Sequence, residues 1–249
     1  MICCPVQLRG SLRLDRALAD RSRLFPAVAR LRVAADLAAG LAYLHDPGSG
    51  LAPLPHCDVR SANVLLDSCD GPHGRAEARA RLSDLGLAFI QQPATAYADP
   101  MWETTADADA RGAPSDVFAL GVVMLELLTG LPASDPTSRP ALLHLRLRDR
   151  LPATTEATLA LADRSAGWAV LQGGIPAREL GSAAAHCAQP SVLNRSELAK
   201  VVPSLCNCCF CSNCLHEDLC LLRTQPSNAY FEGNPLSTVM AEWGDAALT

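Results

Sequence analysis

The sequence predicts a mainly α-helical fold with one small β-hairpin, followed by an irregular, cysteine-rich tail. Three observations support this prediction. Apolar residues recur at helical spacing from Phe25 to His45, an apolar segment runs from Ser115 to Thr129, and two short apolar runs flank a glycine-containing turn. The chain has 249 residues, of which 49% are hydrophobic and 19% are charged, so it can bury a sizeable core.

Both long helices have clear boundaries in the sequence. Pro26 suits the first turn of the first helix, and the run Asp-Pro-Gly-Ser-Gly at 46–50 ends it. The Ser-Asp pair at 115–116 can cap the second helix, which ends at Gly130. Its apolar stretch contains Glu126 and is too short to cross about 30 Å of hydrocarbon, which indicates a buried helix and no transmembrane segment.

The remaining elements are shorter. Residues 63–66 and 81–83 form the hairpin strands on either side of a turn at 70–74. Weaker patterns predict four more helices, near Leu142–Leu147, Thr154–Ala162, Arg178–Cys187 and Glu197–Val202. After Leu205 the composition changes to Cys, Asn and Ser, so we predict a folded domain over 1–205 and a poorly ordered tail over 206–249.

Charge and the N-terminal residues exclude some classes of protein. The formal net charge is −5, from 21 basic and 26 acidic residues, and no basic cluster is present. A nucleic-acid-binding surface needs such a cluster, so none is expected. No apolar run precedes Arg9, so we expect no secretory signal and a cytoplasmic protein.

One set of polar residues stands out for its spacing. The run His56–Asp58 is followed by Asn63, and twenty-one residues after Asn63 comes the run Asp84–Gly86. Phosphoryl transfer needs a carboxylate to orient the accepting hydroxyl and oxygen ligands to hold magnesium. The set resembles the H-R-D-x-x-x-x-N and D-F-G motifs of eukaryotic protein kinases.

Further blocks follow in the order expected for this family. Residues 99–101 are similar to the D/A-P-E element, and residues 115–130 are similar to the buried central helix of plant receptor-like kinases. The resemblance covers about residues 9–205 and is closest to plant receptor-like cytoplasmic Ser/Thr kinases. It implies a protein-kinase-like C-terminal lobe, without the N-terminal sheet, the glycine-rich loop and the strand lysine.

The resemblance also implies a role for each site residue. Asp58 would orient the substrate hydroxyl, and Arg60 would contact the γ-phosphate where the family usually has lysine. Asn63 and Asp84 would ligate Mg²⁺ and so hold the ATP phosphates. The implied reaction is transfer of the γ-phosphoryl group of ATP to Ser or Thr of a protein substrate, impaired in this chain. The alternative is a pseudokinase that acts as a protein-binding scaffold.

Several positions depart from the family pattern. Cys57 replaces the arginine that grips a phosphorylated activation-loop residue, so switching by loop phosphorylation is not expected. Met101 replaces the glutamate that pairs with a late arginine, here Arg195, although Glu103 lies two residues away. If it is unpaired, Arg195 is either exposed or costly to bury. Thr95 and Tyr97 lie where phosphosites and substrate contacts occur, and ordinary loop residues explain them equally well.

Six of the eleven cysteines fall between Cys206 and Cys220, close to His216. Cysteine thiolates and a histidine could bind zinc. Strong zinc signatures have two separated pairs of ligands, whereas this segment is one crowded cluster. We therefore do not favour a specific zinc site here.

Overall fold

The protein is described by a computed structural model that covers residues 12–46, 54–67, 79–85, 95–101, 112–151, 154–195 and 197–209. Most of the described residues are helical, which confirms the predicted mainly α class. The elements in chain order are β1 (Leu12–Arg13), α1 (Leu14–Ala19), α2 (Ala27–His45), β2 (Val64–Asp67), β3 (Arg79–Leu82), α3 (Ala113–Thr129), α4 (Leu143–Leu147), α5 (Thr155–Leu161), α6 (Ile175–Cys187) and α7 (Leu198–Cys209).

Within the described residues, the sheet is small and antiparallel, in the order β1-β2-β3. The predicted hairpin is present, with Val64 opposite Leu82 and Asp67 opposite Arg79. β1 was not predicted, because a strand of two residues has no hydrophobic period to detect. The turn predicted at 70–74 lies outside the described residues.

Helix α3 is the centre of the core, and every residue from Ser115 to Thr129 is buried. It packs against α2 and α6. Gly121 permits the close approach to α6, since a Cβ atom there would lie 2.7 Å from the Ala188 amide nitrogen. α3 begins two residues before the predicted cap, because Pro114 is accommodated in its first turn, and it ends at Gly130 in the left-handed conformation.

One buried and one partly exposed ion pair fix other elements to this core. Arg30, which is 2% exposed, donates to the Asp163 carboxylate at 2.7 Å and to the Leu127 carbonyl at 3.0 Å. Asp36 of α2 accepts hydrogen bonds from the Arg79 side chain at 3.0 Å and the Ala80 amide at 3.0 Å. The hydrogen bonds to Asp36 attach β3 to α2. They thereby position the β2–β3 hairpin relative to the loop that precedes β2.

The last helix differs from its prediction. The sequence suggested an end at Val202, but α7 continues through Pro203 to Cys209. The predicted domain edge at 205 therefore falls inside a helix. Residues 210–249 and the side chains of the cysteine cluster lie outside the described residues, so the poorly ordered tail stays a prediction. In the described ranges, each helix is too short or too polar to span a bilayer.

Candidate active site

The loop that precedes β2 is held by one buried carboxylate of α3. Asp116, which is 1% exposed, accepts the His56 amide at 2.7 Å and the Cys57 amide at 2.7 Å. The same carboxylate lies 2.8 Å from Nε2 of His45 at the end of α2. Cys57 has φ +59°, a left-handed conformation that is costly for cysteine, and the two hydrogen bonds at this turn help to hold it.

His56 links this loop to the end of β3. Its side chain is fully buried, with Nε2 3.0 Å from the Ser83 carbonyl and Nδ1 accepting the Asp58 amide at 3.3 Å. Burial lowers the pKa of His56, although the carboxylates of Asp116, Asp58 and Asp84 oppose that effect. A neutral ring with its proton on Nε2 satisfies both contacts.

Asp58 and Asn63, two of the predicted site residues, are in direct contact. Nδ2 of Asn63 donates to the main-chain oxygen of Asp58 at 2.9 Å and to its Oδ2 at 2.7 Å. Asn63 is 3% exposed, whereas the side chain of Asp58 is 16% exposed. Because both amide protons have acceptors, the Asn63 amide is fixed in one orientation, and Oδ1 is the atom of this side chain that can ligate a metal.

Arg60 lies beside the same carboxylate. Its Nε is 3.4 Å from Oδ2 of Asp58, and the two side chains are 35% and 16% exposed. That Nε atom is buried and has no hydrogen-bond partner among the described residues. The guanidinium therefore forms an ion pair with Asp58 without an aligned hydrogen bond.

Ser83, the residue before Asp84, is bonded to the loop that carries Asn63. The Ser83 amide and hydroxyl each donate to the Asn63 carbonyl at 2.9 Å, which joins the end of β3 to the start of β2. Asp84 is exposed, has φ +63° and acts electrostatically on Arg13 and His56. Gly86, the third residue of its motif, lies outside the described residues.

The segment 95–101 is attached to the core by an ion pair that differs from the expected one. Arg195 donates to both oxygens of Asp99, at 2.6 and 2.5 Å, and these side chains are 3% and 0% exposed. Arg195 is therefore buried and paired although Met101 replaces the family glutamate, because Asp99, two positions earlier, supplies the carboxylate. Glu103, the other carboxylate considered for this role, lies outside the described residues. Ser115 and the Met101 amide also donate to Asp99.

Glu126 makes a second set of contacts to this segment. The Tyr97 hydroxyl lies 2.9 Å from its Oε2, and the Ser61 hydroxyl and Ala133 amide donate to its Oε1 at 3.2 and 3.1 Å. Glu126 is 3% exposed, and burial raises its pKa to about 7. From the sequence, Glu126 was noted only as a charged residue within an apolar stretch, and no role was predicted for it. A lone acid in a buried helix needs polar partners, and that signal could have identified it.

These residues can be compared with the needs of an Mg²⁺–nucleotide site. One amide oxygen (Asn63) and one carboxylate (Asp84) are hard oxygen ligands of the kind that Mg²⁺ prefers. The fixed Asn63 amide and the exposed Asp84 side chain leave both groups available to a metal carried in by phosphates. The donor set therefore fits the ion. Burial raises the pKa of Cys57 to about 11, so its thiol is neutral and does not contribute a charge.

Comparison with known proteins identifies relatives of one kind. The family model described as "Protein kinase domain" matches residues 8–160, which is more than half of the chain. The chain is 38% identical over 133 residues to the Arabidopsis thaliana protein "Probable serine/threonine-protein kinase PBL28", covering 49% of this chain and 32% of that protein.

Two further relatives show the same pattern. "Probable serine/threonine-protein kinase PBL26" of Arabidopsis thaliana is 33% identical over 193 residues, covering 71% of this chain and 42% of that protein. "Receptor kinase-like protein Xa21" of Oryza sativa subsp. japonica is 36% identical over 121 residues, covering 45% of this chain and 11% of that protein. In these three matches the chain therefore spans less than half of the length of its relative.

Proposed function

We propose, from the premise that this chain belongs to the protein kinase domain family, that it binds Mg²⁺–ATP and transfers the γ-phosphoryl group to Ser or Thr hydroxyls of a protein. The relatives with serine/threonine-protein kinase in their names support the choice of acceptor. We place this activity in the cytoplasm, where ATP and protein substrates are both available.

One observation carries the proposal most directly, namely the double hydrogen bond from Asn63 to Asp58. Nδ2 of Asn63 lies 2.7 Å from Oδ2 of Asp58. This contact keeps the partly exposed Asp58 carboxylate next to the fixed amide group of Asn63, whose oxygen can ligate a metal. A phosphoryl-transfer site needs this adjacency, because the accepting hydroxyl and the metal that holds the phosphate must meet at the same point. Ser83, the residue before Asp84, bonds to the Asn63 carbonyl, and from this connection we infer that Asp84 lies near the same site.

Each residue has a distinct task in this proposal. Asp58 accepts a hydrogen bond from the substrate hydroxyl and orients its oxygen towards phosphorus. Arg60 moves from Asp58 to the transferred phosphoryl group, where its positive charge stabilises the charge that develops there. Asn63 and Asp84 would hold Mg²⁺, which when bound would neutralise the charge of the phosphates.

The experiment compares the wild-type chain with Asp58→Asn in a γ-phosphoryl transfer assay on a general protein substrate. We expect a loss of about 100-fold or more, since a general base contributes at least that factor. Asp149→Asn is the matched control, because Asp149 is 86% exposed and lies outside the site. Equal residual transfer in wild type and Asp58→Asn would refute the catalytic role.

A second measurement concerns binding alone. ATP should raise the unfolding temperature of wild type only when Mg²⁺ is present, by the mass action of ligand binding to the folded state. Asp84→Asn should lose most of this shift and keep the unfolding temperature without ligand, because Asp84 is exposed. A shift that is independent of Mg²⁺ would contradict the assignment of Asp84 and Asn63 as ligands.

The alternative function, a protein-binding scaffold of the pseudokinase type, is favoured by one contact. The Arg60 guanidinium lies 3.4 Å from Asp58 and thereby occupies the carboxylate that catalysis needs free. If this pair persists with nucleotide present, Arg60 does not reach the phosphoryl group, and Arg60→Gln should not lower transfer below the wild-type rate. A wild type that neither binds Mg²⁺–ATP nor transfers phosphate would support the scaffold.

A further inference from the structure

Three polar side chains from three separate parts of the chain close a ring of hydrogen bonds below the candidate site. The Ser61 hydroxyl lies 2.9 Å from the Tyr97 hydroxyl and 3.2 Å from Oε1 of Glu126, and the Tyr97 hydroxyl lies 2.9 Å from Oε2 of Glu126. The Ala133 amide adds a fourth contact by donating to Oε1 at 3.1 Å. We call Glu126, Ser61 and Tyr97 the Glu126 cluster.

The number of protons decides how many of these contacts are hydrogen bonds. With Glu126 ionised, the two hydroxyl groups supply two protons for the three sides of the ring, so one side has none. A proton on Oε2 can donate to the Tyr97 oxygen, which frees the Tyr97 proton for Ser61 and the Ser61 proton for Oε1. Oε1 then acts as a carbonyl oxygen that accepts from both Ser61 and Ala133, and every contact is a hydrogen bond.

The surroundings of Glu126 favour the same state. Burial raises its pKa to about 7, although the hydrogen bonds with Tyr97, Ala133 and Ser61 oppose that effect, and the charge of Asp15 acts in the same direction as burial. Burial also raises the pKa of Tyr97, so Tyr97 stays neutral. Among the described residues, three charged groups that contact α3 from other elements have partners other than Glu126: Arg30 pairs with Asp163, Arg195 with Asp99, and His45 with Asp116. His144, which packs against Phe118 of α3, is neutral near pH 7 because burial lowers its pKa to about 4.

The Glu126 cluster lies between two segments near the candidate site, so its protonation can change how those segments are held together. Ser61 is three residues after Asp58 and begins the 3-10 turn that ends at Asn63. Tyr97 belongs to the segment that Asp99 attaches to Arg195. Among the described residues, Glu126 is therefore the group on α3 that bonds to both the loop with Asp58 and the segment 95–101.

We propose that Glu126 is a proton-dependent positioning residue, which in its protonated form completes the hydrogen bonds between the loop carrying Asp58 and the segment 95–101. Ionisation removes one side of the ring and loosens the segment from the loop. The structural part of this proposal stands without any activity, and only its effect on phosphoryl transfer rests on the proposed function.

The first test is the pH dependence of stability for wild type against Glu126→Gln. Glutamine imitates the protonated acid, because its Nε2 can donate to Tyr97 while its Oε1 accepts from Ser61 and Ala133. A raised folded-state pKa means that the folded protein keeps a proton which the unfolded chain loses. Relative to Glu126→Gln, the wild-type folding constant should therefore fall about tenfold per pH unit from about 4.5 to about 7, and then level off. Parallel curves for the two proteins would overturn the proposal.

A second measurement detects the proton on Glu126 directly in the wild-type protein. The infrared carbonyl band of a protonated carboxylic acid should be present in wild type at about pH 6 and disappear near the pKa of about 7. Tyr97→Phe removes one hydroxyl from the ring and should shift that titration. A wild-type spectrum without any such band at about pH 6 would show that Glu126 is ionised and would overturn the proposal.

The last readout connects the cluster to the reaction. In wild type, kcat should fall as pH rises through about 7 with KM unchanged, and Glu126→Gln should have a flat kcat over the same range. An identical pH profile in both proteins would overturn the positioning role. If no variant transfers phosphate but the stability and infrared titrations occur as expected, the proposed function fails and the proton-dependent contact remains.

Discussion

The ion pair between Asp99 and Arg195 offers a quantitative test of the fold around the site. Its side chains are 0% and 3% exposed, and Asp99→Asn would leave the Arg195 cation buried without its carboxylate. Breaking a buried pair from one side costs about 3–5 kcal/mol. Arg195 keeps hydrogen bonds to the carbonyls of Gln189 and Pro114, at 2.7 and 2.8 Å, so we expect the lower end, about 3 kcal/mol.

Urea unfolding followed by tryptophan fluorescence measures this loss, because Trp168 is 1% exposed and reports on the core. The matched control is Glu197→Gln, which removes a carboxylate from the exposed pair with Lys200 and should cost below about 1 kcal/mol. Met101→Glu added to Asp99→Asn should recover part of the loss by restoring a carboxylate nearby. A cost for Asp99→Asn as small as that of the control would refute the pairing.

Three further changes test other contacts. Asp116→Asn replaces one of the two oxygens that accept from the His56 and Cys57 amides by an NH₂ donor. The free energy of unfolding, measured by urea unfolding, should fall by about 3 kcal/mol. Mg²⁺–ATP binding, measured by calorimetry, should weaken. Gly121→Ala should destabilise by about 1–3 kcal/mol in urea unfolding, because its Cβ would lie 2.7 Å from a backbone nitrogen. Burial lowers the pKa of His144 to about 4, so its contribution to stability is present above the unfolded value of 6.5 and is lost as pH falls towards 4. His144→Phe should remove this loss of stability at acid pH. If the unfolding free energy depends on pH in the same way in wild type and in His144→Phe, the expectation is contradicted.

The long helices and the hairpin could be predicted because their signals are local. The apolar spacing of α2 and the capped apolar run of α3 are contained within single segments. β1 could not be predicted, since two residues acquire strand geometry only by pairing with Leu65 and Leu66 far along the chain. The end of α7 was missed because packing overrides the usual effect of Pro203.

The same distinction holds for the candidate site. Asp58 and Asn63 share one short motif, so their spacing was visible in the sequence, and the structure places them in contact. Their roles in phosphoryl transfer remain predictions. Other contacts of the site join residues that are far apart in the sequence, from 29 positions for Tyr97–Glu126 to 96 for Asp99–Arg195, and Asp116 also has such partners. No local sequence pattern encodes pairs of this kind.

The attachment of the loop to Asp116 also determines how the loop can move. The amides of His56 and Cys57 are bonded to a side chain of α3, the helix with the most continuous burial among the described residues. Amide hydrogens held in this way exchange with solvent only when the supporting element opens. The loop with Asp58 should therefore belong to the same cooperative unfolding unit as α3. Substitutions deep in that helix should then alter the hydrogen exchange of loop amides that the substituted side chains do not contact.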